Sequence, residues 1–191
     1  MDVTIERVDW ENEELQALVR AQQAELLERY GEEDIDDEVS TRPLEAAVLV
    51  RHEGEAVACG ALRDPVAAFG EGVGELKRMY VVPEHRRKGL SRIVLRELEK
   101  IALERGLRRL VLETGVLQPE AIGLYVTEGY LLIDNYPPYE DNDSSRCFAK
   151  SLVCPRRDPR RERCSWRARC RGTGSSGRCR GSARPSVRSS G

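Results

Sequence analysis

Val81-Val82-Pro83-Glu84-His85-Arg86-Arg87-Lys88-Gly89-Leu90-Ser91 is the stretch on which the reading of this chain turns. Its first residues complete an extended run over 74–82, which Pro83 ends. Beyond it, Leu90, Ile93, Val94, Leu95, Leu98, Ile101 and Ala102 recur at helical spacing over 88–105, and Gly106 is placed to stop the helix. A basic turn with one glycine therefore joins a strand to a long helix. The first amides of a helix lack intrahelical acceptors and carry the positive end of the macrodipole, so such a turn is suited to an anion. Gly89 lets the backbone come close, and the neighbouring cations add charge. Taken alone, the same turn also fits an exposed helix start.

On either side, the chain alternates between the two hydrophobic periods. Residues 3–8 alternate as a half-buried strand, and Leu15, Leu18, Val19, Leu26 and Leu27 mark a helix after a start at Asp9 to Asn12. An acidic run at 32–38 reads as a loop, either a solvated charge cluster or a lip that attracts an amine. Residues 46–51 and 56–63 form a hairpin around Glu53-Gly54-Glu55. After the helix over 88–105 come a strand at 110–113, a helix opened by Pro119 and ended by Gly129, and strands at 130–134 and 148–153. Strands that pair as a hairpin, followed by strands separated by helices, predict a mixed α/β sheet.

Charge divides the chain. Residues 155–191 hold twelve arginines against Asp158 and Glu162, a net +10, which leaves the first 154 residues at −12 within a total of −2. The tail, rich in Arg, Ser and Gly, is expected to be disordered, with a catalytic body at 1–154. An acidic body suits a small cationic substrate better than nucleic acid, for which the basic tail is the one candidate anchor. No apolar run reaches ~18 residues and the N-terminus carries acidic residues where a signal peptide needs basic ones, so a cytoplasmic protein without membrane contact is expected. The six cysteines include no CxxC pair, and His52 and His85 lie far from the tail cysteines, so no metal is expected.

The turn resembles the first signature of the GNAT acetyltransferases: Arg or Gln, two residues, Gly, one residue, then Gly or Ala. Arg86, Gly89 and Ser91 occupy the marked positions, with Ser91 departing from the usual residue. A second stretch, Gln118-Pro119-Glu120-Ala121-Ile122-Gly123-Leu124-Tyr125-Val126-Thr127-Glu128-Gly129-Tyr130, resembles the second signature, with Gln118 in place of Asn. The resemblance implies a sheet of six to seven strands that splays between the fourth and fifth, with acetyl-CoA in the gap. It assigns the diphosphate to the amides of Arg87, Lys88, Gly89, Leu90 and Ser91, with Arg86 and Arg87 helping electrostatically. It gives the pantetheine arm and thioester to Met79, Tyr80 and Val81, whose last amide would stabilise the developing oxyanion. Gln118 falls at a pantetheine contact, and Tyr125 at the phenol that protonates the departing thiolate.

The amine must lose a proton before or during attack, and Glu75 is the carboxylate on the splayed strand best placed to take it, directly or through water. Strict alternation puts Glu75, Lys77, Met79 and Val81 on one face and Leu76, Arg78 and Tyr80 on the other. Glu75 then reads equally as a general base or as half of an ion pair, and Glu113 is a second candidate base. Substrate choice is expected at 32–38 and 135–141, where Tyr136, Tyr139, Asp37 and Glu38 form either a cation site or, for the tyrosines, a packed Pro turn. The implied activity is acetyl transfer from acetyl-CoA to a primary amine, in a monomer or homodimer. The competing reading is a degenerate fold that binds acyl-CoA as a sensor, for which Ser91 and Gln118 speak and against which Tyr125 speaks.

Overall fold

A computed structural model describes residues 2–31, 44–63 and 69–152 of the chain; the acidic run at 32–38 and the basic tail lie outside the described residues. The elements run β1 (Val3–Val8), α1 (Glu13–Tyr30), β2 (Leu44–His52), β3 (Glu55–Arg63), β4 (Val73–Val81), α2 (Leu90–Glu104), β5 (Arg109–Gly115), α3 (Pro119–Thr127), β6 (Leu131–Ile133) and β7 (Ser145–Ser151). They build one seven-stranded sheet in the order β1-β2-β3-β4-β5-β7-β6. Only β4 and β5 pair in parallel, and the remaining neighbours are antiparallel. The expected mixed α/β sheet is present.

Helices cover both faces. α1 starts where the Asn12 side chain accepts from the amides of Glu14 at 3.1 Å and Leu15 at 3.0 Å, with Glu13 and Glu14 against the positive end of its dipole. Its Leu15, Leu18 and Val19 pack on Ala47, Leu49, Cys59 and Ala61. α2 buries Leu90, Val94, Leu95, Leu98, Ile101 and Ala102 on the opposite face, against Val48, Val50, Leu62 and Leu76. Each of its larger aliphatic side chains gains roughly 1.5–3 kcal/mol from leaving water, so α2 is the main anchor of the central strands.

The site is created by two irregularities in β4. Cys59 pairs with Tyr80 but Ala61 pairs with Lys77, so β4 carries one residue more than β3 over this span, and Arg78 absorbs it at φ 57°. The bulge corrects the expected alternation. Leu76, Met79 and Val81 pack together on the α2 side, whereas Glu75 and Lys77 bond to Tyr136 and Tyr139 on the other. The second irregularity is that pairing of β4 with β5 ends at Leu76 opposite Leu112, although both strands continue. The expected splay between the fourth and fifth strands thus opens beside the bulge.

Gly60 lies across from the bulge, and a Cβ there would come within 2.6 Å of Val94 Cγ1, 2.7 Å of Met79 Sδ and 2.9 Å of Leu98 Cδ1. Gly60→Ala is expected to destabilise the fold by about 1–3 kcal/mol through overpacking, read from urea unfolding; a neutral substitution would show that α2 is not seated this tightly on the sheet.

Candidate active site

The splay opens into a cleft of about 970 Å³. Met79, Tyr80 and Val81 of β4 form one wall, Glu113, Thr114 and Gly115 of β5 the other, and the turn before α2 with the start of α3 closes one end. Of the residues expected to hold the cofactor, the structure brings Met79, Tyr80, Val81, Arg86, Arg87, Gly89, Leu90, Ser91, Gln118 and Tyr125 to this cleft; Lys88 is exposed and outside its lining.

The turn is shaped by left-handed residues, Arg87 at φ 61° and Gly89 at φ 82°. Gly89 caps α2 without side-chain help, and the helix begins at Leu90. Arg86 donates its amide to Pro83, and the next backbone bond in the chain is from the amide of Arg92 to Gly89. The five amides of Arg87 to Ser91 therefore make no backbone hydrogen bond to a described residue, which is the donor array an oxyanion group requires. On β4, the amide of Val82 donates to Val57 at 3.0 Å. Because amides alternate in an antiparallel ladder, that of Val81 turns away from β3 and toward the gap.

The Arg86 side chain does not extend into open cleft. Its Nε donates to the Val81 carbonyl at 2.9 Å, its Nη2 pairs with Glu25, and its guanidinium lies 5.6 Å from the centroid of the Tyr80 ring. Glu25 also accepts from Arg29 at 2.8 Å, and Arg29 reaches Glu120 at 2.6 Å and the Leu117 carbonyl at 3.1 Å. A chain of charges thus runs from the turn before α2, through α1, to the start of α3. Tyr30 extends the crossing, since its hydroxyl accepts from the Leu117 amide at 2.9 Å and lies against Gly115, where a Cβ would be 2.0 Å from it. Gln22 adds a bond to the Met79 carbonyl at 3.0 Å. The sequence reading missed these α1 residues; the spacing of Gln22, Glu25 and Arg29 on one helical face was their only signal.

Tyr125 lies on the cleft wall at 5% exposure, its ring edge-on to Tyr130 at 5.8 Å. Burial, and then the negative charge of Glu113, push its phenol well above the ordinary value, while Lys77 pulls it back. The phenol is therefore neutral across physiological pH and is a hydrogen-bond donor. Glu75 is not brought to the cleft lining. Its carboxylate, 3% exposed, lies 3.6 Å from Arg63 Nη1 and accepts from the Tyr136 hydroxyl at 2.9 Å. The ion-pair alternative describes this geometry, because a buried carboxylate needs a counter-charge and hydrogen bonds. Glu113 does line the cleft. Tyr136 and Tyr139 are packed, at 4% and 2% exposure, and Asp37 and Glu38 lie outside the described residues.

The model of the acetyltransferase (GNAT) family matches residues 8–130. The chain belongs to this family. Among curated relatives, the IAA acetyltransferase of Azospirillum brasilense is 33% identical over 118 residues, 62% of this chain and 75% of that protein. The uncharacterized N-acetyltransferase YjgM of Escherichia coli is 37% identical over 98 residues, so the match spans 51% of this GNAT chain and only 58% of the relative. Among solved structures, a Klebsiella pneumoniae protein described as an acyl-CoA N-acyltransferase superposes with a TM-score of 0.68 at 33% identity, covering 79% of this chain and 98% of that one. The PaiA N-acetyltransferase of Thermoplasma acidophilum, solved with coenzyme A, gives 0.59 at 16% identity over 79% and 99% of the two chains, a likeness of fold alone. Among the described residues of this family member, no helix is long and apolar enough to cross a membrane and no cluster of His, Cys, Asp and Glu could hold a metal ion.

The hydrogen bond from Arg86, followed by the charges of Arg86 and Arg29, holds the Glu25 carboxyl below its ordinary 4.5. A carboxylate depressed on folding stabilises the native state above its unfolded pKa and loses that contribution as pH falls through its folded one. Glu25→Gln should therefore cost about 0.5–1 kcal/mol at neutral pH and flatten the decline of unfolding free energy below about pH 5. Urea titrations across that range check it, and an acid slope equal to the parent's would show the crossing contributes nothing.

Proposed function

We propose that residues 1–154 form an N-acetyltransferase that moves acetyl from acetyl-CoA to the primary amine of a small molecule by direct attack. What carries this reading is the meeting, in one cleft, of Arg87, Gly89, Leu90 and Ser91, whose amides make no backbone hydrogen bond to a described residue, with the point where β4 parts from β5. Acetyl-CoA supplies the activated acyl group and a thiolate leaving group. The amides of Arg87, Lys88, Gly89, Leu90 and Ser91 bind the diphosphate; Arg86, tied to Glu25 and Val81, fixes the turn and contributes charge without offering its fork to the ligand. Met79, Tyr80 and Gln118 line the pantetheine path. The Val81 amide donates to the thioester carbonyl as that oxygen gains negative charge. Tyr125, held neutral by burial, donates to the departing sulfur. Glu113, on the facing wall, is the carboxylate placed to take the amine's proton, directly or through water, and replaces Glu75 in that role.

A covalent route finds no support. Burial pushes the Cys59 thiol up to about 12 and that of Cys147 up to about 11, so both stay protonated and unreactive. The sensor alternative is weakened by Tyr125, whose hydroxyl stands at the cleft wall without a hydrogen bond to a described residue, as a group reserved for a ligand does.

Titrating acetyl-CoA into the full chain should give one-to-one binding, and Gly89→Val should weaken it at least about tenfold, because a β-branched residue resists the positive φ of this turn. No binding by the full chain, or equal affinity in the two proteins, would overturn the assignment of the turn. Tyr125→Phe is expected to lower kcat for thiol release by about 10²-fold while acetyl-CoA affinity is kept; an unchanged kcat would leave Tyr125 as a core residue only.

A further inference from the structure

In the stretch of β4 that borders the gap, every second residue turns its amide and carbonyl away from β3. The Val82 amide donates to Val57 at 3.0 Å, so Val81 and, two residues back, Met79 direct theirs toward the gap. Each of these carbonyls already accepts from a side chain. Arg86 Nε donates to that of Val81 at 2.9 Å, and Gln22 Nε2 to that of Met79 at 3.0 Å. The free edge of a strand ordinarily presents a row of both donors and acceptors. Here the acceptors of the edge are covered by the protein's own side chains.

The two covers differ in chemistry. A guanidinium has donors and no acceptor, so Arg86 ends the run of hydrogen bonds at Val81. A carboxamide has both. Because Gln22 meets a carbonyl, the end that touches it must be the nitrogen, and Oε1 is the end left over. That atom is buried and has no hydrogen-bond partner among the described residues, although Gln22 as a whole is half-buried and lines the cleft. A buried acceptor without a donor is costly, and native structures keep few of them. Gln22 therefore carries the acceptor function of the Met79 carbonyl one side chain outward. A modest turn of the carboxamide about its bond to Met79 brings Oε1 to the cleft.

We propose that Gln22 Oε1 accepts from an amide N–H of the pantetheine arm of acetyl-CoA, while the Val81 amide donates to a carbonyl of the same molecule. An arm held at both kinds of group lies in one register along β4, and that register sets where its thioester stops. Gln22 is thus a binding residue supplied by α1, outside both signature stretches. The inference rests on the reading of the cleft as an acetyl-CoA site and adds a side-chain contact to one otherwise made by main chain. The attacking amine also carries N–H groups, and the experiment tells the two donors apart.

The test is calorimetric titration of the full chain with coenzyme A and with two analogues, in each of which one pantetheine amide N–H is replaced by a methylene. One analogue should bind about five- to tenfold more weakly than coenzyme A, the size of one hydrogen bond to an otherwise unpartnered acceptor. In Gln22→Lys, whose ammonium can still cover the Met79 carbonyl but offers no acceptor, the ratio between coenzyme A and that analogue should fall toward one. Gln22→Arg is a second variant of the same design. Each ratio is taken within one preparation, and the stoichiometry of the titration reports the folded fraction. Equal affinities for all three ligands in the parent chain, as an N–H supplied by the amine would give, would overturn the inference and leave the enzyme reading intact. A ratio unchanged in the variants would do the same. No binding of coenzyme A by the parent chain would instead overturn both.

Discussion

Everything in the active cleft depends on the parting of β4 from β5 after Leu76. Two parallel strands that stay paired would satisfy each other's amides and close the sheet. Here the pairing stops halfway, next to the extra residue at Arg78, and β4 from Leu76 to Val81 borders the cleft. The parting is sustained from outside. α2 holds β4 on one face through Leu90, Val94 and Leu98, while β5 is held by a complete antiparallel ladder with β7.

A gap in a sheet exposes polar groups to a poor environment unless water or another element reaches them. α1 supplies part of that. Gln22 bonds to the Met79 carbonyl, the Arg86–Glu25–Arg29–Glu120 series ties the two sides of the opening together, and Tyr30 sits in the space left by the missing side chain of Gly115. The individual ion pairs are partly exposed and each is weak, but they share residues, so ordering one side chain orders the next.

Local features of the site were legible in the sequence and distant ones were not. The turn from Arg86 to Ser91 and the stretch from Gln118 to Tyr125 are contiguous, and their backbone shape follows from nearby residues, so most of the residues singled out there line the cleft, Lys88 excepted. Glu75 does not, because it lies where β4 is still paired with β5, opposite Val111, before the two strands part, and no feature of the sequence marks where that pairing ends. Glu25 and Arg29 were not singled out, since their partners Arg86 and Glu120 are far along the chain. Tyr139 reads in the sequence either as part of a cation site or as a packed tyrosine of a Pro turn; it is buried, with Lys77 against its ring and hydroxyl. The order of strands and helices was legible throughout because hydrophobic period depends only on neighbours.

The cradle before α2 is made from main-chain amides, and every residue except proline carries one. What must be inherited at 87–91 is therefore a conformation more than a set of side chains. The left-handed conformations of Arg87 and Gly89 set that shape. Likeness to another protein in this turn alone is therefore a likeness of backbone shape and carries no information about the side chains elsewhere in the cleft.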